Sequence, residues 1–390
     1  MTSATPARPP RLRRLSDAPR TLPEALQQVW DAGDAAVVAD PGASLPPSVE
    51  AALSGAGTHP LPAGTALVVP TSGSTGTPRA VILSHAALAA STAASITRLG
   101  CTFGERWALA LPLRHVAGLQ VLARARALGT DPHAVLDPGD PAAIAEAANH
   151  AEHIALVPTQ LVRCLDAGDD VTRALARFRT VLVGGGPLAP GRIAQARDAG
   201  IRLVLSYGMT ETCGGCVYDG RPLADVDVAI DADPGESGRI RLRGPMLAAG
   251  SLDPVDDATR FTPDGWFVTD DLGRLDADGT LEVLGRVDAV INTGGVKVDP
   301  LTVETLLRAD PTVADVLVLG VPDPEWGERV VAVVTAADPN DPPTLERLRT
   351  RVTATLPPAH APREVRLVDR IARDAMGKVS AAERARLSAG

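Results

Sequence analysis

Lysine is nearly absent from this 390-residue sequence: of 38 basic residues only Lys297 and Lys378 are lysine, and the rest are arginine. With abundant Ala, Gly and Pro, this resembles the codon bias of a high-GC bacterial genome, in which surface charge defaults to arginine. A lysine kept in such a chain asks for a chemical reason, because ammonium is a compact point charge and guanidinium a planar fork. Long apolar runs are missing too, although 45% of residues are hydrophobic, so the chain reads as soluble and globular without a membrane anchor. No basic patch appears: the net charge of −9 is spread thinly, and no nucleic-acid partner is expected. Residues 1–20 carry Arg and Pro but no apolar signal segment, and they read as a mobile tail of a cytoplasmic protein. Cysteine is scarce as well. Cys213 and Cys216 have the spacing of a redox pair or half a zinc site, yet no second pair exists, and plain reduced thiols are the simpler reading.

The length suits one large and one small domain. From Thr65 to Tyr207, strand-like runs (65–70, 80–83, 106–111, 153–157, 180–183, 201–206) alternate with helical stretches. Ser84 is an N-cap candidate for a helix reaching Arg98. Such β-α alternation predicts a layered α/β sheet with helices on both faces. After Tyr207, Gly, Asp and Pro multiply and strands shorten, with a hairpin turn at Asp276-Ala-Asp-Gly279. Beyond Asp288 an independent α+β pattern begins, with helices near 301–308 and 345–356 and strands near 313–319, 329–335 and 364–368.

Three Gly- or hydroxyl-rich segments follow predicted strands. Thr71-Ser72-Gly73-Ser74-Thr75-Gly76-Thr77 offers glycines for close approach and hydroxyls for phosphate oxygens, but lacks the Walker A lysine. Taken alone it also fits a Ser/Gly surface turn. Gly184-Gly185-Gly186-Pro187 leaves a bare backbone edge suited to a flat base, and a plain Gly-rich turn fits equally. Tyr207-Gly208-Met209-Thr210-Glu211-Thr212 gathers an aromatic face, two aliphatic hydroxyls and a carboxylate able to hold Mg²⁺.

These segments, together with Trp266–Gly273, Gly285-Arg286-Val287-Asp288 and Met376-Gly377-Lys378, occur in the order seen in the adenylate-forming superfamily. The sequence resembles that superfamily from Leu67 to Val379. The resemblance implies an adenylate-forming fold. A large N-terminal α/β layered domain with a β-rich end (21–287) would precede a small mobile C-terminal α+β domain (288–390). It implies ATP held by Thr71–Thr77, Gly184–Pro187, Tyr207–Thr210, Asp271, Arg286 and Lys378. By the same likeness Thr210 faces the α-phosphate, Glu211 binds Mg²⁺, Asp271 takes the ribose hydroxyls and Asp288 is the hinge. Gly294 and Gly295 would line the coenzyme A tunnel, while Lys297 either assists thioester formation or supports that glycine loop. Lys378 would bridge the acid's carboxylate and the α-phosphate, where a compact cation stabilises developing charge.

Leu111–Gly118, Leu156–Leu161 and Tyr207–Gly220 resemble the o-succinylbenzoate–CoA ligase family of menaquinone biosynthesis in its short actinobacterial form. That likeness implies CoA ligation of 2-succinylbenzoate through an acyl-adenylate. The open alternatives are another aryl or short acyl acid, a carrier-protein-loading adenylation domain, and a regulator without catalysis. Four residues are candidates for the acid pocket: His115, Thr159, Gln160 and Arg163. A lone helix-start histidine is also often structural, and Arg163 fits either a second carboxylate or a solvated helix face. Relatives often form homodimers, but no segment here marks an interface. The sequence departs from the family pattern at Arg79 (usually Lys), Asp270 (often Gly) and Ala372 (often Pro).

Overall fold

The computed structural model describes residues 8–55, 60–71, 79–233, 235–252, 257–374 and 377–389. A mixed sheet takes the strand order Leu12–Ser16, Ala35–Ala39, Thr65–Thr71, Arg79–Ser84, Gly250–Ser251. A seven-stranded sheet follows the order Arg221–Pro222, Gly214–Tyr218, Leu203–Met209, Thr180–Gly184, His153–Leu156, Trp107–Leu109, His133–Ala134. Its last five strands are parallel and its first two antiparallel. Parallel strands need both faces covered, which is why Ile154–Val157 and Val181–Val183 are continuous buried runs. One face meets helices His85–Leu99 and Val116–Ala127 and, beyond them, the first sheet. The other face meets helices Pro141–Glu146, Pro158–Asp166, Asp169–Leu175 and Pro190–Asp198.

Local signals set the helix ends. Ser84 Oγ accepts the Ala87 N–H at 3.1 Å, and Gly100 closes the helix with φ +65°. The Gly/Asp-rich stretch forms a four-stranded antiparallel sheet: Asp227–Asp231, Gly238–Arg243, Phe267–Leu275, Leu281–Arg286. Its strands alternate, with Ile240 and Leu242 inside and Arg239 and Arg243 outside. The 276–279 turn joins Leu275 to Leu281 in register, as its sequence predicts. A separate C-terminal sheet (Val296–Val298, Ile291–Thr293, Gly327–Ala336, Val313–Asp323, with Glu364–Leu367 beside Gly327–Ala336) packs on helices Pro300–Arg308 and Leu345–Thr353 around its own core.

The reading of residues 1–20 as a mobile tail needs correction from residue 8 onward. Leu12–Ser16 is a five-residue parallel strand on Ala35–Ala39. Arg8 and Arg13 both pair with the buried Asp34, at 2.9 and 2.8 Å. A charged strand with one buried side chain, Leu12, lacks the apolar alternation that periodicity detects. The helices Leu22–Asp31 and Pro47–Ser54 and the strand Ala35–Ala39 are likewise additions to the elements read from sequence. Among the described residues no helix is long and apolar enough to cross a membrane.

Candidate active site

Strands Thr180–Gly184 and Leu203–Met209 run parallel and adjacent, so Gly184–Pro187 and Tyr207–Glu211 leave the sheet at the same carboxyl edge. Gly185, at φ +88°, turns the chain away and leaves the backbone exposed. Gly208 is fixed by close approach: a Cβ there would lie 2.1 Å from the Gly214 carbonyl oxygen of the returning strand.

One end of the site is built on Asp271. The Tyr207 hydroxyl donates to Asp271 Oδ2 at 2.8 Å, and Arg286 Nη1 faces Oδ1 at 3.4 Å. Arg286 also holds Asp288 with two hydrogen bonds, Nε to Oδ1 at 2.8 Å and Nη2 to Oδ2 at 2.9 Å. Burial pushes the Asp271 carboxyl up, with Tyr207 and Arg286 opposing the rise. Burial and the Asp271 charge likewise raise the Tyr207 hydroxyl, which stays protonated as a donor. The arrangement is an aromatic face beside a carboxylate that can accept a pair of vicinal hydroxyls.

The centre of the site is a single turn of 3-10 helix, Thr210–Thr212. Thr212 is fully buried, takes the Met209 N–H at 2.9 Å and donates to the Gly214 carbonyl at 2.6 Å. Ser91 donates to the Cys213 carbonyl at 3.2 Å, tying the turn to helix His85–Leu99. Burial raises the Glu211 carboxyl, against the positive charges of Arg260, Arg79 and Lys378. Arg260 was not legible from sequence, since one arginine among so many carries no signal. It is ion-paired with Asp270, which also faces Arg286 at 3.6 Å. Asp270, noted above as a departure, therefore bridges two cations of the site.

Lys378 sits on a tight turn. Its N–H donates to Asp374 Oδ1 at 2.9 Å, and Asp374 N–H donates to the Lys378 carbonyl at 2.8 Å. Arg373 ties the turn to the strand Val313–Asp323 through Asp315, with both contacts 2.9 Å. Ala372 N–H donates to Glu383 at 3.1 Å, a bond that proline could not make, so the departure there has a structural use. Gly377 lies against Thr159, whose side chain would be 3.3 Å from a Cβ at that position. The Lys378 charge acts on Glu211 and on His115 alike. His115 is half-buried, and burial with the charges of Arg114 and Lys378 holds its imidazole low and neutral against the pull of Asp374 and Asp17.

The structure brings Lys378, Glu211, His115 and Thr159 to one place. Gln160 is different. Its amide takes the Val157 N–H at 2.9 Å and donates to the Ala110 and Pro138 carbonyls at 3.0 and 3.1 Å. Its side chain, a candidate for the acid pocket, is engaged in fastening the helix start. Arg163 is exposed on helix Pro158–Asp166, in keeping with a solvated face. Gly294 (φ +58°) and Gly295 (φ +81°) form a two-residue hairpin turn between Thr293 and Val296, with Lys297 exposed on the outgoing strand. The Gly294 N–H donates to the Trp326 carbonyl at 2.8 Å, and Trp326 stacks beneath Arg363 at 3.8 Å. Thr71 ends its strand opposite Arg79, and Ser72, Gly73, Ser74, Thr75, Gly76 and Thr77 lie outside the described residues, as does Met376.

Cys213 and Cys216 do not form a pair. Cys213 packs with the helices between the two large sheets and Cys216 with the four-stranded sheet, and burial pushes both thiols up to about 12. Cys101, Glu105 and His153 form the one metal-type cluster among the described residues. It lies at the amino ends of the parallel strands, opposite the site, and Glu105 is already satisfied by Thr102, His153 and Arg179.

The AMP-binding enzyme family matches residues 14–252, and the AMP-binding enzyme C-terminal domain matches residues 302–378. A probable 2-succinylbenzoate–CoA ligase of Mycobacterium tuberculosis is 43% identical over 333 residues, covering 83% of this chain and 85% of the relative. A 2-succinylbenzoate–CoA ligase of Enterococcus faecalis is 30% identical over 335 residues, covering 81% and 68%. Among solved structures, the o-succinylbenzoate CoA synthetase of Bacillus subtilis in complex with its acyl-adenylate intermediate superposes with TM-score 0.83 at 26% identity. That match covers 97% of this chain and 88% of the other. ATP-bound MatB of Rhodopseudomonas palustris, at 23% identity, shares the fold with TM-score 0.85, covering 97% and 89%. Fold, edge-of-sheet site and a matching C-terminal domain agree: the chain belongs to the AMP-binding enzyme family.

Proposed function

We propose that this chain joins coenzyme A to 2-succinylbenzoate through an acyl-adenylate, a step of menaquinone biosynthesis carried out in the cytoplasm. The observation that carries the reading is the Lys378 turn, whose Gly377 lies against Thr159 at the sheet edge that also carries Tyr207–Glu211, with the Lys378 charge near Glu211 and His115. The named ligases that resemble the chain, at 43% and 30% identity, support the acid and the acceptor.

In the first half-reaction a carboxylate oxygen of the acid attacks the α-phosphorus of ATP, and the bond to pyrophosphate breaks. Adenine lies between Tyr207 and the Gly184–Pro187 edge, and the ribose hydroxyls donate to Asp271, which Tyr207 and Arg286 hold in place. Thr71 and the hydroxyl-rich residues that follow it in sequence, 72–77, hold the β- and γ-phosphates, while Thr210 faces the α-phosphate. Lys378 stabilises the charge shared by attacking oxygen and phosphoryl group. Glu211, a carboxylate withdrawn from water in a cationic setting, fits an oxygen-seeking divalent ion, and bound Mg²⁺ would neutralise phosphate charge there. In the second half-reaction the coenzyme A sulfur attacks the acyl carbon and AMP leaves. Residues 288–390 act as a mobile domain that turns about Asp288, withdrawing Lys378 and presenting Gly294, Gly295 and Lys297 to the thiol.

Lys378→Ala tests the reading directly. Acid-dependent pyrophosphate release is expected to fall by roughly 10²–10³-fold, the scale seen when one preorganised charge-stabilising group is removed. Thioester formation from supplied acyl-adenylate should survive. Equal pyrophosphate release from variant and wild type would refute the assignment.

A further inference from the structure

The segment before residue 18 is fastened to the acid end of the site by one carboxylate. Asp17, just beyond the edge strand Leu12–Ser16, has a side chain only 7% exposed. Its Oδ1 accepts the Leu113 N–H at 3.0 Å, and its Oδ2 accepts the Arg114 N–H at 3.2 Å and Arg114 Nη1 at 3.1 Å. Three donors thus converge on one carboxylate, two of them consecutive backbone amides immediately before His115. Charge-assisted bonds to backbone N–H groups are the stronger kind, and they fix the direction of the chain that makes them. The Asp17 N–H is itself anchored on the Ala39 carbonyl at 3.0 Å, and Arg114 also reaches Asp40 at 3.2 Å.

The loop held in this way is already tight. His115 N–H donates to the Pro112 carbonyl at 3.2 Å, and a Cβ at Gly118 would meet that same oxygen at 2.2 Å. With the turn closed on one side and clamped by Asp17 on the other, His115 has little freedom about its backbone. Its imidazole stands where Lys378, Asp374 and Asp17 act on it together.

We infer that Asp17 is a positioning residue for the acid pocket, setting the Leu113–His115 loop so that His115 faces the acid beside Lys378. The inference rests on the ligase reading above. It also gives the N-terminal strand a use in the reaction that a tail would not have.

The test measures KM for 2-succinylbenzoate, KM for ATP and Tm for wild type, Asp17→Ala, Asp17→Asn, Arg114→Ala and Arg13→Ala. Arg13 serves as a control, since it pairs with Asp34 on the same segment at 2.8 Å but makes none of the loop contacts. Asp17→Ala is expected to raise the acid KM about tenfold, a sub-ångström misplacement being enough for such a loss, with the ATP KM within about twofold. Asp17→Asn keeps one acceptor for a backbone amide and should recover part of the loss. Arg114→Ala leaves both backbone contacts and should change the acid KM less than about threefold. If Asp17→Ala fails to fold, the Asp17→Asn acid-to-ATP split decides alone. An unchanged acid KM, or equal rises in both KM values with a Tm loss matched by Arg13→Ala, would overturn the inference. Wild-type protein that ligates no acid would instead overturn the ligase reading, so the two failures are distinct.

Discussion

Glu211 and Glu105 are both withdrawn from water, yet their titrations move in opposite directions, because neighbours outweigh burial only at Glu105. Burial raises Glu211, with Arg260, Arg79 and Lys378 only opposing that rise. Burial would raise Glu105 too, but the Thr102 amide and His153 outweigh it and hold the carboxyl at about 2. A carboxyl whose folded value is depressed stabilises the protein above its ordinary value of 4.5 and loses that contribution as pH falls toward 2. Glu105→Gln should therefore lower Tm at pH 7 and make its decline between pH 5 and pH 2 shallower than in wild type. Thermal scans across that range check this, and parallel curves would contradict it. Asp310, also held at about 2 by Arg347 and Thr312 against its burial, and the other lowered carboxyls such as Asp34 keep part of the slope in the variant.

What was readable at this scale depended on residue type. Glu211 and Lys378 were legible because a carboxylate at the end of a strand, and a lysine in a lysine-poor chain, are chemically distinctive; Asp271 was legible only through the order of family motifs. Arg260 was not, because arginine is the default charge here. Asp17 was not, because its partners lie 96 and 97 positions away and nothing local announces them. The engagement of the Gln160 amide was hidden for a related reason, since it depends on carbonyls at 110 and 138.

At the scale of elements, glycine separates two roles that sequence alone leaves mixed. Gly208 and Gly191 both sit in regular structure, one in strand Leu203–Met209 and the other in helix Pro190–Asp198. A Cβ on Gly208 would lie 2.1 Å from the Gly214 carbonyl, whereas one on Gly191 would meet nothing within 4 Å. Gly208→Ala should cost roughly 2 kcal/mol or more and displace the Thr210–Glu211 turn that follows. Gly191→Ala should be neutral or stabilising by up to about 1 kcal/mol. Paired chemical denaturation of the two variants checks this, and similar midpoints would contradict it. The parallel strands were readable because burial on both faces makes them continuous apolar runs. The edge strand Leu12–Ser16 was hidden because it is charged and half solvated.

At the scale of the whole molecule, three groups of residues far apart in sequence share one sheet edge. Tyr207, Asp271 and Arg286 form a nucleoside-type end, Glu211, Arg260 and Arg79 a polyanion-type centre, and His115 and Thr159 a third region beside the Lys378 turn. Order and spacing of motifs disclosed Tyr207, Glu211, Asp271 and Arg286, whereas Arg260 carried no signal of its own. The third needed the C-terminal turn to be seen against Thr159, a contact that no local pattern encodes. Arg286 links Asp271 to Asp288, so the residue proposed as hinge is tied to the proposed ribose carboxylate.

The most direct measurement is AMP release with ATP, Mg²⁺ and coenzyme A across a panel of carboxylic acids, with the thioester identified by mass spectrometry. The expected result is strong preference for 2-succinylbenzoate and detection of its coenzyme A thioester. Turnover confined to other acids would contradict the proposed substrate, and no turnover of any acid would contradict the ligase assignment itself.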